Sequence, residues 1–297
     1  MAEPPDTPST DTLAKDTRTV AGMTLASRVF GLARDLVLVR VFGDTAAGSA
    51  FNAAFALPNM FRRLFGEGAL SGAFIPRYTR LVGKAPGPGK PALSDSYASM
   101  VLAALLLVTG LLTVIGEALL LVWLSASEPD GDTAYSVQLM MIMLPMMPAL
   151  CTVAILGGML QVRGRFAMPA GAPIVLNLCI IAAGLGCLLG DADPRQSGRI
   201  VGISTLVAGV LQLAWALHAL RGNARFTRAI GSAWEHGRST LKSFLPVVIG
   251  MGTLQINTLI DTVLAMWPVW VGPMLFGRPV PMDDASNAIV GFTQRLY

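Results

Sequence analysis

Charge, histidine and cysteine are all scarce in this chain, and each scarcity closes off a class of function. Only 13% of its 297 residues are charged, about half the share of an ordinary soluble domain, which excludes a soluble globule. The two histidines, His218 and His236, have no partner at metal-ligand or catalytic spacing. The three cysteines, Cys151, Cys179 and Cys187, all fall in apolar segments without ligand or disulfide spacing, and all five residues are read as structural. There is no Gly-rich phosphate loop, no HExxH and no nucleophile elbow, so an enzyme reading lacks a catalytic pair and no organic cofactor is expected. Runs such as ILGGML (155–160) and GLGCLLG (184–190) are small residues that let membrane helices approach closely. Residues 1–19 are rich in Pro, Thr and Asp and have none of the zones of a signal peptide, so they are expected to be a disordered cytoplasmic tail.

What is abundant is apolar. Hydrophobic residues make up 53% of the chain, and the mean hydropathy is +0.59. A helix needs roughly 20 apolar residues to cross the hydrocarbon core. Hydropathy predicts seven such spans, at about 20–43, 46–66, 97–126, 134–160, 169–190, 199–220 and 244–268. An eighth begins near Ala285 and runs into Tyr297 without a stop signal, so the chain is expected to be part of a longer protein. The fold class is therefore an all-α polytopic membrane protein. The excess of four positive charges is spread over alternate loops rather than gathered in a patch. That pattern sets membrane orientation, puts the N-terminus in the cytoplasm and argues against nucleic acid as a partner. Between spans 6 and 7, RFTRAIGSAWEHGRSTLK (225–242) mixes apolar and basic residues as a short amphipathic helix on the cytoplasmic surface would.

Several charges lie inside these spans. Each costs about 2.5 to 3.5 kcal/mol on insertion scales, so such residues face the protein interior and usually mark a pathway or ligand site. Arg28 and Asp35 fall within about 20° of each other on span 1, with Gly31 on the same face, while Arg34 points about 100° away. Arg40 reaches the interface by snorkelling. On span 2, Asn52, Asn59 and Arg63 share a stripe, Glu67 lies about 40° further round, and Pro58 introduces a kink. Several arginines against one acid leave a positive cavity. The guanidinium fork grips phosphate oxygens bidentately, so the matching cargo is an anion, a phosphate or pyrophosphate. Two plainer readings stay open: Arg62 and Arg63 as ordinary basic flanks, and Arg28, Arg34 and Asp35 as an ion pair that only holds the bundle together. Asp261 stands alone in span 7 beside Asn257 and Thr262, a setting suited to Na⁺ or a proton. Glu117 in span 3 is read as interfacial.

The run SRVFGLARDLVLVRVFG (27–43), followed by AFNAAFALPNMFRRLFGEGALSGAFIPRY (50–78), closely resembles the start of the MurJ/MviN lipid II flippases of the MOP exporter superfamily. Weaker similarity runs through GRFAMPAGAPIVLN (164–177), the Asp261 region and QRLY (294–297). The resemblance implies a transporter that moves lipid II, the undecaprenyl-pyrophosphate-linked disaccharide-pentapeptide, from the cytoplasmic to the outer leaflet of the bacterial inner membrane. It further implies a two-lobed, fourteen-helix monomer working by alternating access. Residues 20–222 would be the N-terminal lobe, 223–243 the connector, and 244–297 the start of the second lobe. The family's required arginines match Arg28, Arg34, Arg62 and Arg295, with Asp35, Asn59, Arg63 and Glu67 in the surrounding motif, and Asp261 matches an acid that contributes to a sodium site in some members. The alternatives are another exporter of the superfamily, carrying a polyprenyl-linked saccharide or a drug, and a non-transporting membrane scaffold. Ser49 departs from the family, standing where a carboxylate is expected near the outer end of span 2. So does Trp267–Asp284, longer than the usual connection, whose WPVWVGP suggests an ordered outer loop.

Overall fold

The computed structural model describes residues 10–64, 69–83, 91–129, 131–275 and 277–293. The chain is a helical bundle of α1 (Thr10–Phe42), α2 (Ala46–Arg62), α3 (Ala69–Val82), α4 (Leu93–Ala126), α5 (Asp132–Met143), α6 (Met146–Val162), α7 (Ala167–Leu189), α8 (Pro194–Leu220) and α9 (Trp234–Ala265). A single 3₁₀ turn, Ile230–Ala233, leads into α9. After it come α10 (Trp267–Trp270), a two-stranded antiparallel hairpin of β1 (Met274–Leu275) and β2 (Arg278–Pro279), and α11 (Ser286–Thr293).

Local chemistry sets the boundaries. The Thr45 hydroxyl accepts from Gly48 N at 3.3 Å and caps α2, and the Asp193 carboxylate accepts from the first amides of α8 ahead of Pro194. The apolar stretch 134–160, expected as one helix, is two. Pro145 has no amide to donate, so α5 stops at Met143 and α6 restarts at Met146. Helix α1 begins at Thr10, well before residue 20, so the second half of the expected tail is helical. The amphipathic connector is not a separate helix, since its second half is the start of α9.

Helix α3 was not anticipated. Its stretch reads as a basic loop to a hydropathy window, because 14 residues are too few to span. Yet Phe74, Tyr78 and Leu81 recur at helical spacing and are all buried, while Thr79 and Arg80 face outward.

Four segments are long and apolar enough to cross a membrane by length and composition: Leu93–Ala126, Asp132–Val162, Ala167–Leu189 and Pro194–Leu220. Helices α1, α2 and α9, expected as spans too, form but are not among the four. Arg28, Arg34 and Asp35 interrupt α1, and α2 is only 17 residues long. Outward faces are apolar, as on α4, where Leu107, Val114, Leu119 and Val122 are exposed.

Two cores hold the bundle at its two ends. One gathers Phe74, Tyr78, Tyr97, Leu156 and Met159 around α3, α4 and α6. The other gathers Leu38, Phe42, Phe51, Tyr135, Leu139 and Met266 beneath the α1–α2 turn. Beside the second core the described part of the segment after α9 is ordered, as expected. The Thr133 hydroxyl donates to Val269 O at 2.6 Å, Trp270 Nε1 donates to Ser136 Oγ at 3.0 Å, and Trp123 meets Trp270 edge-on at 5.4 Å.

Helices α1 and α7 pack closely where Gly184 faces Val37. A Cβ at Gly184 would stand 2.5 Å from Val37 Cγ1, and a β-branched side chain in a helix cannot turn away. Gly184→Ala should therefore destabilise the protein by about 1–3 kcal/mol, read as a lowered melting temperature in detergent, whereas Gly186→Ala, which meets nothing within 4 Å, should melt like the wild type.

Candidate functional site

Between the two cores lies a cavity of about 860 Å³, walled by α1, α2, α6, α7, α8, α9 and α11. Its α1 wall is Ser27, Gly31 and Arg34, at spacings of four and three, which make a single stripe. Arg28 and Asp35 are not on it. They lie on the other flank of Gly31, about 100° round the helix. Arg28 is exposed, and Asp35 turns to its neighbour. The expected face is thus displaced to the Arg34 side. The reason is α7: it packs along α1 and brings the Asn177 amide against Gly31, where a Cβ would lie 3.6 Å from Asn177 Nδ2.

Arg34 is held from both sides. Its Nε and Nη2 donate to Asp35 Oδ1 at 3.0 and 2.8 Å, and its Nη1 donates to Asn177 Oδ1 at 3.0 Å. The Asn177 amide in turn donates to Ser27 O at 3.2 Å. Arg34 and Asp35 side chains keep only 15% and 21% of their exposure, so the cation is fixed with one acid beside it. The same α1–α7 arrangement serves as an ion pair and as a cavity wall.

The second wall is α2. Asn52, Asn59 and Arg63 line the cavity, as their shared stripe predicts, and Arg62 joins them. The Asn59 amide oxygen accepts from Arg62 Nε at 3.1 Å, an i,i+3 contact that turns the guanidinium along the helix. Glu67 and Arg295 lie outside the described residues. Across the cavity α9 contributes Gln255, Thr258, Asp261 and Thr262. The Thr262 hydroxyl donates to Thr258 O at 2.9 Å. Among the described residues no cluster of three His, Cys, Asp or Glu exists. The oxygens in the same wall as the Asp261 carboxylate are the hydroxyls of Thr258 and Thr262 and the amide of Gln255, donors of the kind that hard cations take. Among the described residues the lining thus counts three arginines, Arg34, Arg62 and Arg63, against one acid, Asp261.

Sequence reasoning did not single out Asn177, Gln212 or Gln255, which also line the cavity. Their signal was present, an uncharged amide inside an apolar run, but it is weaker than a charge because an amide in a span is cheaper to bury. Gln212 is 4% exposed and its Nε2 has no partner among the described residues.

The end of the cavity nearest the α1–α2 turn is closed by α11. The Asn287 side chain donates to Ser49 O at 2.8 Å, and Ala288 N donates to Ser49 Oγ at 3.0 Å, both buried. The Ala288 amide, in the first turn of α11, thus donates both to Ser49 Oγ and to Ala285 O at 2.9 Å. Gly291 lies so near Asn52 that a Cβ would meet its side chain at 2.8 Å. At the other end α3 is fastened to α9: Arg77 donates to Thr240 Oγ1 at 2.8 Å, Ser239 Oγ at 2.7 Å and His236 O at 3.3 Å. Close by, Arg163 donates to the Tyr78 hydroxyl at 2.9 Å. Burial raises the Tyr78 hydroxyl above its ordinary value, and Arg163 offsets part of that rise.

The profile of the lipid II flippase MurJ family matches residues 38–297. The chain belongs to the MurJ lipid II flippase family. Among curated MurJ relatives, a probable lipid II flippase of Rhizobium tropici is 33% identical over 260 residues, covering 85% of this chain and 48% of the relative. One of Bdellovibrio bacteriovorus is 33% identical, with 83% and 47% covered, and a lipid II flippase of Burkholderia cenocepacia is 30% identical, with 83% and 48% covered. The chain spans about half the length of the curated relatives it matches. A solved structure of a lipid II flippase MurJ in an inward closed conformation superposes with a TM-score of 0.70 at 23% identity, over 94% of this chain and 54% of that one, so the MurJ fold is shared.

Ser49→Ala removes one of the two acceptors of Ala288 N and leaves it Ala285 O at 2.9 Å. It should cost about 0.5–1.5 kcal/mol, the net worth of one hydrogen bond, visible as earlier melting and as faster labelling of a cysteine placed at Asn52 in the variant than in the Ser49 background.

Proposed function

We propose that this chain is the cation-lined half of a lipid II flippase, which carries the lipid-linked peptidoglycan precursor from the cytoplasmic to the outer leaflet by alternating access. The observation that carries this reading is the convergence of Arg34 from α1 with Arg62 and Arg63 from the end of α2 on one cavity whose described lining holds a single acid. Membership of the MurJ family supports it, since the relatives are named lipid II flippases.

The chemistry follows from the walls. A pyrophosphate offers paired, delocalised oxygens that match the guanidinium fork. Arg34 is already oriented by Asp35 and Asn177, so little side-chain entropy is lost when an anion arrives. Asn52, Asn59 and Gln255 offer amides to a sugar or peptide headgroup, while the prenyl tail stays in the bilayer. Arg28 stands beside the cavity rather than in it, and Arg295 and Glu67 complete the family's charged set. Asp261 would take Na⁺ or a proton, and its neutralisation alternates with the anion as the coupling device. With basic residues concentrated at the α3, α6–α7 and α8–α9 ends, the positive-inside rule puts the N-terminus in the cytoplasm of a multi-pass inner-membrane protein. The activity is transport by a monomer of the full-length protein, with no catalytic step.

The test is lipid II exposure on the outer leaflet of cells depleted of their own flippase and supplied with the full-length protein. Arg34→Ala should lower translocation roughly 10- to 100-fold, the worth of one charged hydrogen-bonded contact of about 1.5–3 kcal/mol, and Arg34→Lys should not restore it. Correctly inserted Arg34→Ala and Arg62→Ala proteins that both translocate like the wild type would sink the proposal. Asp261→Asn should remove the dependence of transport on the Na⁺ or proton gradient, measured in proteoliposomes with each gradient imposed in turn.

A further inference from the structure

The first two turns of α9 carry a surface that neither the cavity nor the packing uses. Trp234, Arg238 and Leu241 fall within about 60° of one another around the helix, and Lys242 lies about 40° beyond Arg238. Trp234 is 67% exposed and Leu241 62%, and Arg238 and Lys242 are exposed with them. The opposite side of the same turns is fastened down. Gly237 lies against Met100 of α4, and Thr240 is buried with its hydroxyl bonded to Tyr97 and Arg77. The outward direction of the stripe is therefore fixed by packing.

The segment just upstream extends it. Phe226 and Ile230 are exposed beside exposed Arg225 and Arg228, and the loop is pinned to the start of α4 by Thr227 N donating to Ser99 Oγ at 2.9 Å. Ala233 is fully buried at the join. Across Arg225–Lys242, four basic side chains face one acid, Glu235. The position is as telling as the composition: the segment joins the end of α8 to α9 and packs on the first turns of α4, so it lies at the rim of two membrane-length helices. Exposed aromatic and aliphatic side chains interleaved with cations at that depth match the headgroup boundary of a bilayer with negative lipids.

We infer that Arg225–Lys242 is an anionic-phospholipid anchor. Trp234, Leu241, Phe226 and Ile230 enter the boundary between headgroups and chains, and Arg225, Arg228, Arg238 and Lys242 pair with phosphate-bearing headgroups of the cytoplasmic leaflet. This rests on the proposed orientation. Because α9 continues without a break from Trp234 to Ala265, the leaflet charge that seats its first turns also bears on the position of Asp261 in the cavity.

The test uses the full-length protein in nanodiscs of phosphatidylcholine alone or mixed with phosphatidylglycerol, each doped with lipid brominated near the headgroup. The Trp234 contribution to fluorescence is the wild type minus Trp234→Phe. Its quenching should rise about twofold or more in the anionic discs and fall back at high salt. The R225Q/R228Q/R238Q/K242Q variant should lose the rise while keeping the wild-type melting temperature. Equal quenching in both discs, or a rise that survives in the quadruple variant, overturns the anchor. Discs carry both leaflets alike, so the orientation is read separately by reacting Ser232→Cys with an impermeant maleimide: labelling from inside supports the cytoplasmic placement, and labelling from outside overturns it even where the quenching result stands.

Discussion

The costliest thing this bundle does is to keep arginine charges inside an apolar body, and much of its architecture follows from that. A guanidinium does not give up its proton, so it must be paired or solvated. Arg34 is served on one side by an acid one residue away and on the other by an amide from α7. That second contact requires α7 to lie against α1, where Gly31 faces the Asn177 amide. Once α7 is there, the cavity has its first wall, and α2 supplies the second with a proline-containing helix that keeps Asn59 beside Arg62.

Neighbouring contacts close one end of the cavity and brace its walls. Ser49 holds the α11 backbone across one end, and the α10 segment fastens the end of α9 to α5 through Thr133 and Ser136. A hydroxyl at position 49 joins α2 to α11 without adding charge.

Much of this was legible in the sequence, and the limits have physical causes. The apolar runs, the stripe of Asn52, Asn59 and Arg63, and the ordered segment after α9 could be read from periodicity and turn chemistry. Helix α3 could not be read by a method that seeks spans, because its apolar face is a narrow stripe on a short helix. The break at Pro145 was visible as a residue but not as a consequence, since a long apolar run outweighs one missing amide in any average. On α1 the charges were found but the face was misjudged. Angular spacing says which side chains share a direction, and only the partner helix decides which direction is inward. Asn177, the residue that decides it, lies 143 positions from Arg34 in the chain.

The seam between α1 and α7 has a mechanical meaning of its own. Gly184 admits Val37 closely at one height of the seam, and at another Asn177 of α7 holds Arg34 of α1. Two close contacts along a shared length resist both sliding and scissoring, so α1 and α7 behave as a single rigid plank. Any displacement of α1 must carry Arg34 together with the amide that aims it. The cation and its partners would then move as one finished piece, never dismantled in one place and rebuilt in another.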